Sequence, residues 1–329
     1  MIAVTTYTSA PDALLEAARV GDRQSILNLL AANPPANPKA RDARGNTPLM
    51  LAAASGHVDC VNVLIKPCGL RWVNDMGMDA LMVAANAGQA QCVAALMGDG
   101  MTERVSSKQS GSHTALTLAA TRGYTRLVEL LIPLSNPDHQ NTNRRTALIL
   151  ASKGGHLDCV KLLAPITNRR TTDEFGNTAF LSAIASNHTD CVSHLMQFED
   201  LNLIGEFGWN PLMFAIWSGG HDCIPVLRPY TDIGTLSIDR KENALTLAAG
   251  MGLRKPGVLE WLMPGSGPEP LDAYHCLKAE KKARRRNFVD IADRIRAAAA
   301  AFHQKLELEK ICDASDRELI NQTQRSRRL

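Results

Sequence analysis

Arg44-Gly45-Asn46-Thr47-Pro48-Leu49-Met50-Leu51-Ala52-Ala53-Ala54-Ser55-Gly56-His57 decides the fold, because the chain says it again and again. The phrase returns as Thr114-Ala115-Leu116-Thr117-Leu118-Ala119-Ala120-Thr121-Arg122-Gly123-Tyr124 and from Thr146 to His156. Weaker copies start at Asp79, Thr178, Asn210 and Asn243, and a degenerate one at Asp12. The starts at 12, 47, 79, 114, 146, 178, 210 and 243 lie 32 to 35 residues apart, and so regular a period specifies a solenoid of about eight units. Each copy opens with Thr, Asp or Asn, whose side-chain oxygen can accept from a free N–H at a helix start, and Pro48 and Pro211 follow at the first helical position. Gly56, Gly88, Gly123, Gly155 and Gly219 fall where that helix must stop in a left-handed turn. Apolar residues at helical spacing then predict a second helix: Val61, Leu64 and Ile65; Val160, Leu162 and Leu163; Val192, Leu195 and Met196. The expected fold class is all-α.

These residues resemble the ankyrin repeat, whose signature is a turn with Gly, then Thr-Pro-Leu, Ala-Ala, Gly-His and a Val-Leu-Leu second helix. The resemblance runs from about Asp12 to Met263. A further stamp, Asp59-Cys60-Val61, Asp158-Cys159-Val160 and Asp190-Cys191-Val192, with Asp222-Cys223-Ile224 close to it, is similar to large ankyrin families of protozoan parasites. Departures fall at Arg144 and Lys241, which replace the turn glycine, at Asn187, which replaces the cap glycine, and at Pro256 in the last second helix. Residues 98–112 are expected to form a surface insertion.

The reading divides the chain into an array over 1–263, a Pro/Gly linker over 264–270 and a basic amphipathic helical tail over 271–329. Phe288, Ala292, Ile295, Ala299, Phe302 and Leu306 follow one another at steps of four and three, an apolar stripe along a helix. That stripe fits a cap on the last repeat, with a short coiled coil as the alternative. Lys278, Lys281, Lys282, Arg284, Arg285 and Arg286 form a basic run over 278–286, opposed only by Glu280. It reads as a solvated helix face, or else as a phosphate-contacting or nuclear-import segment.

The whole chain of 329 residues carries a formal net charge of only +3, which argues against a protein built mainly to coat nucleic acid or an anionic membrane. No run of 18 apolar residues occurs, so no spanning helix is expected, and residues 1–10 lack the pattern of a secretory signal. A reduced intracellular setting is therefore expected: cytoplasmic, with cytoskeletal and nuclear placement as variants. Phosphate-loop, nucleophile-elbow and kinase signatures are absent, as are CxxC and HExxH spacings. The repeats begin within the first dozen residues, so the expectation is a non-enzyme without cofactor or metal. Cys60, Cys92, Cys159, Cys191 and Cys223 recur 13 residues after their unit starts and read as small buried apolar residues. His57, His156 and His188 share one repeat position, where the resemblance implies a structural role.

The resemblance also implies that partners dock on the turn before each cap and on the end of the first helix. Carried onto this chain, the turn positions include Arg44, Asn46, Met76, Met78, His113, Arg145, Phe175, Phe207 and Trp209, and the helix positions include Arg122, Lys153 and Trp217. Four large rings among only 15 aromatic residues suggest an interface near the sixth and seventh units, or local core. The expected partner of a monomeric chain is a protein offering an acidic segment with apolar anchors.

Overall fold

A computed structural model describes residues 10–100, 111–199, 209–233, 235–236, 242–252, 258–262 and 273–304. The predicted insertion, the turn at Lys241, Pro256 and the 264–270 linker fall largely or wholly outside them. Every regular element among the described residues is a helix. The chain forms two compact units, 1–183 and 184–329.

The first unit is built from helix pairs: α1 (Ala10–Val20) with α2 (Arg23–Ala31), α3 (Pro48–Ser55) with α4 (Val58–Cys68), α5 (Ala80–Asn86) with α6 (Ala90–Gly98), α7 (Ala115–Arg122) with α8 (Thr125–Leu131), and α9 (Ala147–Gly154) with α10 (Leu157–Leu163). First helices pack on first helices, α1 to α3, α5, α7 and α9 in turn, and second helices on second helices. Close approach is possible because the contact residues are small: Ala52, Ala53, Ala84, Ala85, Ala119, Ala120 and Ala151 are all fully buried. From α3 to α9 each first helix starts at a side-chain cap. Thr47, Asp79, Thr114 and Thr146 accept from the backbone N–H three residues on, at 3.4, 2.9, 3.2 and 3.3 Å.

The stops follow the expectation. Gly56, Gly123 and Gly155 adopt the left-handed C-cap, and Arg144 takes the same hand in place of a turn glycine, at φ 57. At Gly123 two demands coincide, since φ is +74 and the His156 ring occupies the space a Cβ would need. That ring also bonds back: His156 Nε2 lies 3.1 Å from the Thr121 carbonyl, as His57 Nε2 does from that of Arg19. The shared histidine position thus satisfies a carbonyl that the preceding helix end leaves unpaired.

In the second unit α12 (Thr189–Leu195) follows α11 (Ala179–Ala185), a helix that spans the unit boundary. Then come α13 (Pro211–Ser218) with the short α14 (Ile224–Leu227), α15 (Ala244–Met251) with α16 (Val258–Leu262), and α17 (Ala273–Arg285) with a helix over 289–304, here α18. Asn210 and Asn243 cap their helices at 2.9 Å each. Asn187 takes the left-handed turn in place of glycine, at φ 62. Gly220 answers a steric demand, because a Cβ there would strike the Ile184 carbonyl.

The tail is not one helix. It breaks at Asn287, left-handed at φ 63, where the Phe288 N–H reaches the Ala283 carbonyl at 2.9 Å across a Schellman-type turn. The result is a ninth helix pair in repeat register. α17 packs on α15 as α15 packs on α13. Asn287 lies 35 residues after Gly252, the interval that separates Gly21 from Gly56. The Phe288 ring occupies the space a Cβ at Gly252 would need, as His57 does at Gly21. Ile291, Ala292 and Ile295 are fully buried in the slots that Cys60, Val61 and Leu64 fill in the second repeat. Where that repeat carries Leu49 and Ala53, the ninth pair carries Glu280 and Arg284, ion-paired at 3.0 Å, with Arg296 on Glu280 at 2.6 Å. Burial alone would raise the Glu280 carboxyl, but the two guanidiniums outweigh it and hold it below the usual carboxylate range. A polar face of this kind replaces the apolar contacts on which neighbouring repeats stack.

Candidate functional site

The turn tips of the first unit are held by an acceptor five residues before each cap. Asp42 Oδ1 accepts from Arg44 N and Asn46 N at 2.8 Å each, Asn74 Oδ1 from Met76 and Met78, Asn141 Oδ1 from Asn143 and Arg145, and Asp173 Oδ1 from Phe175 and Asn177. These turns rest on side-chain hydrogen bonding to the local backbone. Burial would raise the Asp42 carboxyl, but the hydrogen bonds from Asn46 and Arg44 outweigh it and leave it below the ordinary range.

Neighbouring tips are tied together. Asn74 Nδ2 donates to Asn46 Oδ1 at 2.9 Å, Asn143 Nδ2 donates to Glu174 Oε1 at 2.6 Å, and Arg145 meets Asp173 and Glu174 at 3.5 Å. Arg145 was expected as a basic flank of the docking face, yet its side chain is only 16% exposed and turned onto the next tip. Asn46 is likewise spent on Asp42 and Asn74. Met78 and His113 are half-buried, and burial first, then the nearby His139, pushes the His113 imidazole below its ordinary value. Arg44, Met76, Arg122 and Lys153 are exposed, and Phe175 stands at its tip with 73% of its surface in solvent.

In the second unit two of the predicted positions, Trp209 and Trp217, hold rings. Trp209, the residue before the Asn210 cap, lies with its ring centroid 5.3 Å from that of Trp217 near the end of α13, and Phe214 lies 5.9 Å from Trp217. Trp217 is 54% exposed, whereas Leu212, Met213, Ala215 and Ile216 of the same helix are buried. Trp209 and Phe214 are half-buried. Phe207 lies outside the described residues. Phe214 went unnoticed in the sequence, although its position three residues before Trp217 places both on one helix face. Trp72 also went unnoticed; it is flanked by Lys39 and Arg41 at 5.6 and 5.3 Å from its ring centroid.

Beside α15, a cleft of about 370 Å³ opens along α17. It is lined by Glu242, the residue before the Asn243 cap, and by Tyr274, Leu277, Lys278, Lys281, Lys282 and Arg285 of α17. Lys282 is paired with Glu242 at 2.5 Å.

The cysteine column offers no chemistry. Cys60, Cys92, Cys159, Cys191 and Cys223 are buried, and burial raises the thiols of Cys92 to about 11 and of Cys223 to about 12. Leu127 and Ile291 fill the same slot in other pairs, which marks it as a packing position. Among the described residues no three His, Cys, Asp or Glu side chains converge as metal ligands, and no helix is long and apolar enough to cross a membrane.

Comparison with known proteins supplies the family. A model described as ankyrin repeats (3 copies) matches residues 14–109, 100–168 and 165–236. The mouse and human proteins called Ankyrin repeat domain-containing protein 63 are each 42% identical over 67 residues, 19% of this chain and 17% and 18% of theirs. The matched stretch thus spans under a fifth of those relatives. The crystal structure of the human ASB11 ankyrin repeat domain superposes with a TM-score of 0.54 at 24% identity, covering 60% of this chain and 89% of that one, a likeness of fold.

Proposed function

The chain belongs to the ankyrin-repeat family, a fold that generally mediates protein–protein interaction, and from that premise we propose that it is a non-catalytic scaffold or adaptor. A partner protein docks on the face made by the turns and the first-helix ends. The observation that carries this reading is the Trp209–Phe214–Trp217 cluster, whose central ring is more than half exposed at a position where the other helix ends carry small or polar residues. Aromatic residues dominate binding hot spots because a large rigid ring buries much area at little entropic cost. Within the first unit the equivalent repeat positions present Phe175, Met76, Arg122 and Lys153, all exposed. The Asp-Cys-Val stamp is similar to that of large ankyrin families of protozoan parasites, and the cytosol or cytoskeleton is the setting that suits an adaptor.

Proximity labelling in the native cell, followed by co-purification with a Trp209→Ala/Trp217→Ala chain, tests the proposal. Partner recovery should fall to background while the melting temperature stays within a few degrees. A collapse of stability would make the rings core, and unchanged recovery would remove them from the interface. A second reading, a nuclear or nucleic-acid-associated regulator, is favoured by the basic run over 278–286. It demands binding to nucleic acid that weakens steeply with salt and is lost with residues 264–329.

A further inference from the structure

We infer that the ninth helix pair supplies the basic half of a two-part docking groove, and that the groove takes an acidic peptide segment with an apolar anchor. The inference rests on the docking face proposed above and names the chemistry of its occupant.

The argument is one of register. In the repeat frame Glu242 stands where Trp209 stands one unit earlier, immediately before the helix cap. Arg285 and Gly250 stand where Trp217 stands, near the end of the first helix, and Lys282 stands where Phe214 stands. The packing of α13 on α15 and of α15 on α17 carries this row across three neighbouring helices. The middle helix presents little bulk to the row: Gly250 has no side chain, and the Lys282 stem lies in the space this leaves. Met251, 41% exposed, adds an apolar surface at the end of α15. An aromatic platform at one end therefore passes over a low saddle to a basic cleft at the other. Packed helices lie roughly 8–10 Å apart, so the two ends are separated by about 16–20 Å, the reach of about six extended residues.

Charge selects the occupant. Glu242 neutralises Lys282, while Lys281 and Arg285 are exposed at the rim of the cleft. The net charge of the cleft is positive, and Tyr274 and Leu277, 67% and 47% exposed, give it apolar walls. Carboxylates on a short peptide suit this mixture. A nucleic-acid backbone would meet the Glu242 carboxylate and find too few cations in line to follow.

The test is selection from a displayed library of random 12-residue peptides on the full chain, on Lys281→Glu/Arg285→Glu and on Trp217→Ala. Both replaced cations are exposed, so the charge-reversed chain keeps its fold. Peptides enriched on the natural chain should combine Asp or Glu with an aromatic or aliphatic residue a few positions away. The charge reversal should abolish the acidic preference and weaken an enriched peptide roughly tenfold or more by fluorescence anisotropy. Trp217→Ala should weaken the same peptide and relax the choice of anchor. Enrichment of apolar peptides without acidic bias, sensitive to Trp217→Ala alone, would leave the docking face standing and overturn this inference. A single-stranded oligonucleotide that binds more tightly than the best peptide overturns it as well, and the absence of any enriched peptide counts against both.

Discussion

The turn tips of the first unit and the first-helix faces of the second put one repeat framework to different uses. Over 42–46, 74–78, 141–145 and 173–177 the polar side chains are turned inward on their own backbone and sideways on the next tip. Around 209–217 and 242–285 the residues before the caps and along the first helices form a partly exposed ring cluster and a basic cleft. Polar groups already bonded to neighbours have little left to offer a partner, whereas a half-exposed indole or a rim cation gains by being covered. A repeat family can thus hold one framework constant and move the sticky part of its surface from unit to unit.

That contrast can be attacked in order of effect. The buried framework should be equivalent in both regions: Leu148→Ala and Leu212→Ala occupy the same slot and should each cost ~2–5 kcal/mol in denaturant unfolding. A difference of several kcal/mol between them would mean that the two regions differ in packing as well as in surface. Next, Asp173→Ala removes the acceptor of two backbone N–H groups and a partner of Arg145, and should cost about 1–3 kcal/mol. A cost near zero would show that the first region's tips are not structural. Gly123→Ala should cost at least ~1 kcal/mol from the left-handed backbone and the His156 ring together.

Acid provides a milder probe. The Asp42 carboxyl and the His113 imidazole both sit below their ordinary values when folded. The stability each contributes is whole above its unfolded value, about 3.9 for Asp and 6.5 for His, and is lost as pH falls through the folded value. Amide exchange around 111–117 should accelerate modestly between pH 7 and 5 after correction for intrinsic rates, and His113→Gln should flatten that response. The smallest effect belongs to the interface itself: Trp217→Ala should change stability by no more than about 0.5 kcal/mol while it weakens binding. A larger loss would place the ring in the core and erase the contrast.

How far the sequence reveals all this depends on whether a residue's partner is local. Thr47, Asp79 and Asn210 announced their helices because a cap is satisfied three residues away. The Asx acceptors Asp42, Asn74, Asn141 and Asp173 are equally local and sit at a fixed offset, but Asp and Asn are common in any turn and so carry little signal by themselves. Arg145 could not be judged from its surroundings in sequence, since Asp173 and Glu174 come from the next unit. The ninth pair lacked every word of the repeat phrase, and only the slots kept their register, with Ile291, Ala292 and Ile295 in place of Cys, Val and Leu. The aromatic site was legible as residue types. Its third ring, Phe214, was lost among the buried letters of α13.

The ion-paired end of the ninth pair has a consequence for how copies of this chain meet. A bare repeat end is a template on which another molecule's repeats could stack without limit, growing head to tail into a fibre. Arg284, Asp293 and Arg296, gathered round the buried Glu280, put hydrated charge across that surface. Concatenation there would require stripping water from ions that already have partners, a toll that keeps crowded molecules apart.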